Sequence, residues 1–166
     1  FIPSFSVERS QEIACVLKNA NFKHRIIMDG MALKVNEIIL RYPEYQKEPE
    51  IFKDVIDKVV AINDHKDRKR ALSEPCVVIS PAGMLVGGNA VYYLQQLAFD
   101  ERNGIALVSY QGEGTPGKKL LETGKISTRG KDLNVVAQVK QFQFSGHADR
   151  DSLFEMVKKI KGNPKV

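Results

Sequence analysis

The sequence contains no run of eighteen or so apolar residues, and its first residues, Phe1-Ile2-Pro3-Ser4-Phe5, show no basic segment leading into a hydrophobic one. Both absences argue against a membrane span and a secretory signal, so a cytoplasmic location without membrane contact is the expectation. Cysteine is scarce: Cys15 falls on an apolar helix face and Cys76 opens an apolar strand. Two such residues suit reduced core positions better than a disulfide framework, and their spacing is not that of a metal site. The Ser80 to Gly88 turn has neither a Gly-x-Gly-x-x-Gly fingerprint nor a Gly-Lys-Ser/Thr continuation, which leaves a nucleotide cofactor without support there.

What is present describes one α/β domain over residues 1–166, with 43% hydrophobic and 27% charged residues, enough for a single core. The net charge of +5 favours a polyanionic partner, although scattered lysines on solvated helix faces give the same total. The chain opens on an apolar pair and closes just after the turn-like Gly162-Asn163-Pro164, so we expect a piece of a longer protein.

Strand-length apolar runs alternate with helical periodicity, the pattern of βαβ units. A mainly parallel, doubly wound sheet with helices on both faces follows. After a strand over Phe1 to Phe5, Ser6 is placed to cap a helix to about Asn19 with Val7, Ile13, Ala14 and Leu17 facing inward and Arg9 pairing with Glu12. Arg25 to Asp29 reads as a strand closed by Gly30, and Met31 to Leu40 as a helix stopped at Tyr42-Pro43. From Tyr42 to Leu72 one amphipathic core (Ile51, Val55, Ile56, Val59, Val60) precedes the mixed-charge run Asp64 to Arg70, which reads as solvated surface. His65 within that run is either an RNA contact or a surface residue, and His24 precedes a strand with no ligand-spaced partner. Lys125-Ile126-Ser127 and Val135 to Val139 flank Arg129 to Asp132 as a small antiparallel hairpin excursion, and Asp151 to Lys161 forms a helix with Leu153, Phe154, Val157 and Ile160 on one side.

Three junctions carry chemistry. Pro75 to Ile79 is a buried strand running into Ser80-Pro81-Ala82-Gly83-Met84-Leu85-Val86-Gly87-Gly88 and then a helix from about Asn89 to Ala98, and strand-to-helix turns of this kind gather the ligands of open sheets. Ile105 to Tyr110 leads into Gln111-Gly112-Glu113-Gly114-Thr115-Pro116-Gly117 with Lys118 and Lys119; that loop either wraps a phosphate backbone or is a sharp connection needing positive φ. Phe142 to Asp151 delivers His147 into the small turn Ser145-Gly146-His147-Ala148-Asp149 that opens a helix. Backbone amides there attract a polyanion and an imidazole beside them transfers protons near neutral pH, although a lone histidine at such a junction also serves as a cap.

Pro3-Ser4-Phe5 with Arg9-x-Gln11-Glu12, the Ser80 to Gly88 loop, Asn103-Gly104, Tyr110-Gln111 with Gly114-Thr115, and Ser145-Gly146-His147 occur in one order that resembles the β-CASP domain. This domain is inserted into metallo-β-lactamase-type nucleases such as RNase J and the cleavage and polyadenylation specificity factor endonucleases; the Ser-Gly-His-Ala-Asp form is most similar to archaeal and bacterial RNA-processing members. The resemblance implies a zinc-dependent ribonuclease of the RNA-processing type, with this chain forming one wall of the RNA cleft. His147 would then donate a proton to the leaving oxygen or stabilise phosphate charge, and Ser145, Gly146, Ser80, Gly83 and Thr115 would line the phosphate track. It further implies single-stranded RNA as partner, a metallo-β-lactamase domain in the same polypeptide, and a homodimer of the parent as a candidate assembly. Two zinc ions would be held outside this chain by a His-x-His-x-Asp-His cluster that these three histidines do not form, leaving this piece inactive alone. The alternative is a non-catalytic phosphate-binding or scaffolding module on a similar sheet. Upstream coding sequence is expected to carry the histidine cluster, with a valine-histidine strand after Val166; finding neither would sink the nuclease reading.

Overall fold

The computed structural model describes residues 1–128, 130–144, 148–160 and 162. Strand and helix alternate through β1 (Ile2–Pro3), α1 (Arg9–Asn19), β2 (Arg25–Asp29), α2 (Met31–Arg41), α3 (Pro49–Asp57), β3 (Val60–Ile62), α4 (His65–Ala71), β4 (Cys76–Ser80), α5 (Gly88–Leu97), β5 (Gly104–Leu107), α6 (Pro116–Thr123), β6 (Lys125–Thr128), β7 (Lys131–Asn134), β8 (Gln138–Gln141) and α7 (Arg150–Lys158).

The first four strands lie parallel in the order β1-β4-β2-β3, and β8 lies parallel to β5 with Gly104 opposite Gln138 and Leu107 opposite Gln141. Two hydrogen bonds join these sheets: Phe1 N donates to Gly104 O at 2.6 Å and Ala106 N donates to Phe1 O at 2.8 Å. That is the slanted pattern of a parallel ladder. The order β8-β5-β1-β4-β2-β3 therefore runs across one sheet whose carboxyl edges share a side.

Adjacent residues of each central strand point to opposite faces, as the two-residue period requires. Ile27, Val78 and Ile105 pack with Ala71 of α4, Tyr93 and Leu94 of α5 and Leu120 of α6. Their neighbours Met28 and Ile79 pack with Ile13 and Ala14 of α1 and Val55 of α3. The sheet is covered on both faces, in agreement with the doubly wound expectation.

Several local expectations are corrected. The first helix starts at Arg9, with Glu8 at its amino end in a left-handed conformation (φ 64°) and no side-chain cap. Ser6 does not cap it; inside the first turn the Ser10 hydroxyl instead ties the helix to the preceding segment, donating to Phe5 O at 2.7 Å and lying 2.8 Å from Ser4 Oγ. Val7 is consequently left outside the helix and exposed, while the Arg9–Glu12 pair forms. Val60 belongs to a strand rather than to the preceding amphipathic helix, because α3 stops at Asp57 and Val59-Val60-Ala61-Ile62 is a stiff run of strand length that pairs with β2.

The hairpin also closes differently. Ile126 faces Leu133 and Thr128 faces Lys131, with Gly130 at φ 74° in the turn, so β7 rather than the Val135–Val139 run is the returning strand. Gln138–Gln141 instead joins the main sheet, where Val135 and Val139 cover the same core as Leu120. The amphipathic pattern of α7 is present, but Leu153, Phe154 and Val157 stay exposed, with the Arg150 guanidinium 4.9 Å from the Phe154 ring centre. No helix among the described residues is long and apolar enough to cross a membrane.

Ile27→Ala, at the centre of the sheet, is expected to destabilise the fold by about 2–5 kcal/mol. Leu153→Gln on α7 should stay within about 0.5 kcal/mol, both measured by denaturant unfolding of the chain.

Candidate functional site

Open parallel sheets bind ligands outside the carboxyl ends of their strands. On that edge the chain leaves β1 through Ser4 and Phe5, β2 through Gly30, β4 through the 81–87 loop, β5 through Val108 to Thr115, and β8 through Phe142 to Phe144.

The edge is anchored at Asp29, 1% exposed at the end of β2. Its carboxylate accepts from Arg68 Nε (2.6 Å) and Nη2 (3.2 Å), Asn89 Nδ2 (2.9 Å) and the Tyr93 hydroxyl (2.8 Å). Four donors fill the lone-pair positions of an ionised carboxylate. Asp64 caps α4 by accepting from Asp67 N at 2.8 Å, which orients the helix so that Arg68 reaches back over the sheet. Gly30 follows at φ 72°, and a Cβ there would stand 3.2 Å from Asn89 Nδ2, so glycine is required for both conformation and space. Burial, and then the bond to Asp29, push the Tyr93 phenol up, while Asp29 holds the Arg68 guanidinium in its charged form.

A second convergence lies at Gly83. A Cβ on it would come within 2.8 Å of Ser109 Oγ and 3.2 Å of Phe5 N, so the loops after β1, β4 and β5 touch at this residue. Gln111 ties them further, its amide donating to Gly83 O (3.0 Å) and Ser109 O (2.9 Å), and Gly117 N donates to Met84 O at 3.1 Å. Leu85 is held at φ 61° by its burial in the core and its bond to Ala82 O at 3.0 Å. A leucine in that region costs about 1–3 kcal/mol and persists only where packing dictates it.

The residues singled out from sequence fall as follows. Ser80 is fully buried and its hydroxyl donates to Pro81 O at 3.3 Å. Gly83 is the contact point just described. Thr115 caps α6: its hydroxyl donates to Gly112 O at 2.7 Å and accepts from Lys118 N at 3.3 Å. Gly114 takes φ 75°, as a sharp connection demands. Lys118 lies 3.2 Å from both Glu113 and Glu122, and Lys119 bonds Ser127 and Asp132. Ser145, Gly146 and His147 lie outside the described residues. On either side of them, Phe142 N donates to Leu107 O at 2.8 Å, Arg9 sits 5.6 Å from the Phe144 ring centre, and Asp149 caps α7 by accepting from Ser152 N at 2.8 Å.

His65 stands edge-on to Tyr92 at 5.2 Å, and His24 to Phe22 at 5.5 Å. Cys15 and Cys76 are free, half-buried thiols pushed up chiefly by burial. Among the described residues no three His, Cys, Asp or Glu side chains come together to hold a metal. They do not fit a zinc centre. The Asp29 cluster was not singled out from sequence, although an acidic residue ending a strand just before glycine marks the ligand edge; Arg68 was hidden inside a run that reads as solvated.

Fold and edge together define a doubly wound α/β domain with a buried carboxylate anchor at the ligand end of its sheet. The chain belongs to the Beta-Casp domain family, whose model matches residues 10–120. A second model, the Zn-dependent metallo-hydrolase RNA specificity domain, matches residues 132–166. The chain is 41% identical over 165 residues to RNase aCSPSF2 of Saccharolobus solfataricus, covering 99% of this chain and 33% of that protein. It is 34% identical to Probable RNase MJ4 of Methanocaldococcus jannaschii, covering 99% of this chain and 39% of that protein. It is also 34% identical to transcription termination factor FttA of the same organism, covering 98% and 29%. The chain thus spans about a third of the length of the curated relatives it matches.

Asp29→Ala should destabilise the chain by about 3–5 kcal/mol, because it strands Arg68 and removes the acceptor of Tyr93. The Tyr93 phenol, raised in the folded chain, gives a second expectation. An unfolded tyrosine ionises near pH 10, so this contribution to stability is intact below about pH 10 and falls as pH rises through that value toward the folded one. Unfolding followed from pH 8 to 11 should show the fall, and Tyr93→Phe should lessen its part above about pH 10, the raised Cys15 and Cys76 thiols accounting for loss that begins lower.

Proposed function

We propose that this chain forms one wall of the RNA cleft in a zinc-dependent ribonuclease of the RNA-processing type, and that the edge gathered around Gly83 faces the RNA backbone. The observation that carries the reading is the meeting of the β1, β4 and β5 loops at Gly83, on the edge toward which β8 runs before the Ser145-Gly146-His147 motif. The relatives named RNases support it.

His147 donates a proton to the leaving oxygen, and Ser145 and Gly146 line the phosphate track. Ser80, Gly83 and Thr115 contribute by shape: the two hydroxyls already donate their protons to backbone carbonyls, so these residues hold the loops that the phosphates follow. Residues 1–166 act as a single unit. The zinc ions sit in a metallo-β-lactamase domain of the same polypeptide, outside this chain, and this chain alone cleaves nothing.

In the intact protein His147→Ala should lower single-turnover RNA cleavage by about 10²–10⁴-fold, the range for a lost general acid. An unchanged rate at unchanged RNA affinity would leave the scaffolding reading in its place.

A further inference from the structure

The ligand edge carries more exposed aromatic surface than phosphate recognition needs. Tyr110, in the loop three residues after β5, is 72% exposed, and Phe5, two residues after β1, is 43% exposed. Both flank the Gly83 contact: Phe5 through its own backbone, Tyr110 through the adjoining Ser109. The Tyr110 ring lies beside the glycine loop. A Cβ on Gly112 would lie 3.6 Å from Tyr110 Cε1, 3.7 Å from Thr115 Cγ2 and 3.8 Å from Met84 Sδ, so ring, threonine methyl and thioether surround one glycine. The edge of the ring at Cε1 thus lies beside the glycine loop, and most of the residue is open to solvent.

A solvent-facing ring beside a strand-end loop can serve as a base-stacking platform. Each base presents a π-face, so stacking on tyrosine or phenylalanine is tolerant of sequence and requires that the base be unpaired. A duplex keeps its bases stacked on one another and offers neither ring a partner. The +5 net charge suits the accompanying backbone.

We propose that Tyr110 and Phe5 stack unpaired bases of single-stranded RNA, which makes this edge a reader of strandedness as well as a phosphate track. This rests on the RNA-cleft reading above, and the test separates the two. In the intact protein, single-turnover cleavage is followed against protein concentration for a single-stranded RNA and for the same strand with abasic sugars at successive positions. Tyr110→Ala is expected to raise the half-saturating concentration by about 5- to 100-fold on the ordinary strand, the worth of one stacked base, with the plateau rate unchanged. It should add nothing on the strand whose abasic position already weakens the wild-type protein, and Tyr110→Phe should behave as wild type. Phe5→Leu is expected to show a smaller loss of the same kind. Wild-type cleavage with an unaltered half-saturating concentration in Tyr110→Ala would overturn the stacking role alone. A lowered melting temperature of the intact protein in Tyr110→Ala with unaltered RNA dependence would overturn it too, assigning the ring to protein packing. Failure of the wild-type protein to bind or cleave either strand would overturn the RNA-cleft reading and this inference with it.

Discussion

The buried carboxylate of Asp29 is the constraint on which the ligand edge depends. The loops at the carboxyl end of a parallel sheet lie beyond its ladder of hydrogen bonds, so something else must fix them. Here one charge collects donors from the middle of α4 and from two turns of α5. Removing a carboxylate from water costs several kcal/mol, which only a full set of well-aligned donors offsets. Asp29 has that set, and the result is a rigid corner between β2, β4 and the two helices.

At the other corner the same task is done without charge. Gly83 and Gly117 let the β1, β4 and β5 loops approach to distances that a side chain would block: a Cβ on Gly117 would fall 1.8 Å from Gln111 Oε1. The buried Gln111 amide bonds carbonyls on two loops at once. A left-handed Leu85 between them shows how strongly the packing dictates this loop. Preorganised loops of this sort lose little entropy when a ligand arrives.

Much of this architecture was legible in the sequence, because the strong signals were local. Arg25–Asp29 and Cys76–Ser80 are short apolar runs bounded by turn residues, and they form the sheet centre. The failures arose where a tertiary partner decides the outcome. Val60 has the same composition in a helix or a strand, and only β2 alongside settles it. Val135 to Val139 satisfies a hairpin pattern, yet the open edge of β5, with Ile105 and Leu107 buried in the core, takes up Gln138–Gln141 as a parallel partner. Arg68 reads as one charge among many until Asp29 is brought beneath it. Ser80 and Thr115 were legible as residues of the edge, but their hydrogen bonds were not, since the carbonyls that take their protons are brought within reach only by the folded loops.

Those hydrogen bonds bear on how the proposed site divides its work. A hydroxyl donating to a backbone carbonyl is not donating to a phosphate, so on the proposed reading Ser80 and Thr115 give the edge its shape. The segments matched by the two family models share one sheet: β8 of the second pairs along its length with β5 of the first. The core built by residues 10–120 therefore aims the strand that leads to Ser145-Gly146-His147. On the proposed reading, the first segment supplies a rigid edge with open rings and the second supplies the proton. On that reading neither segment would build the cleft wall alone, because β8 of the second segment completes the sheet of the first.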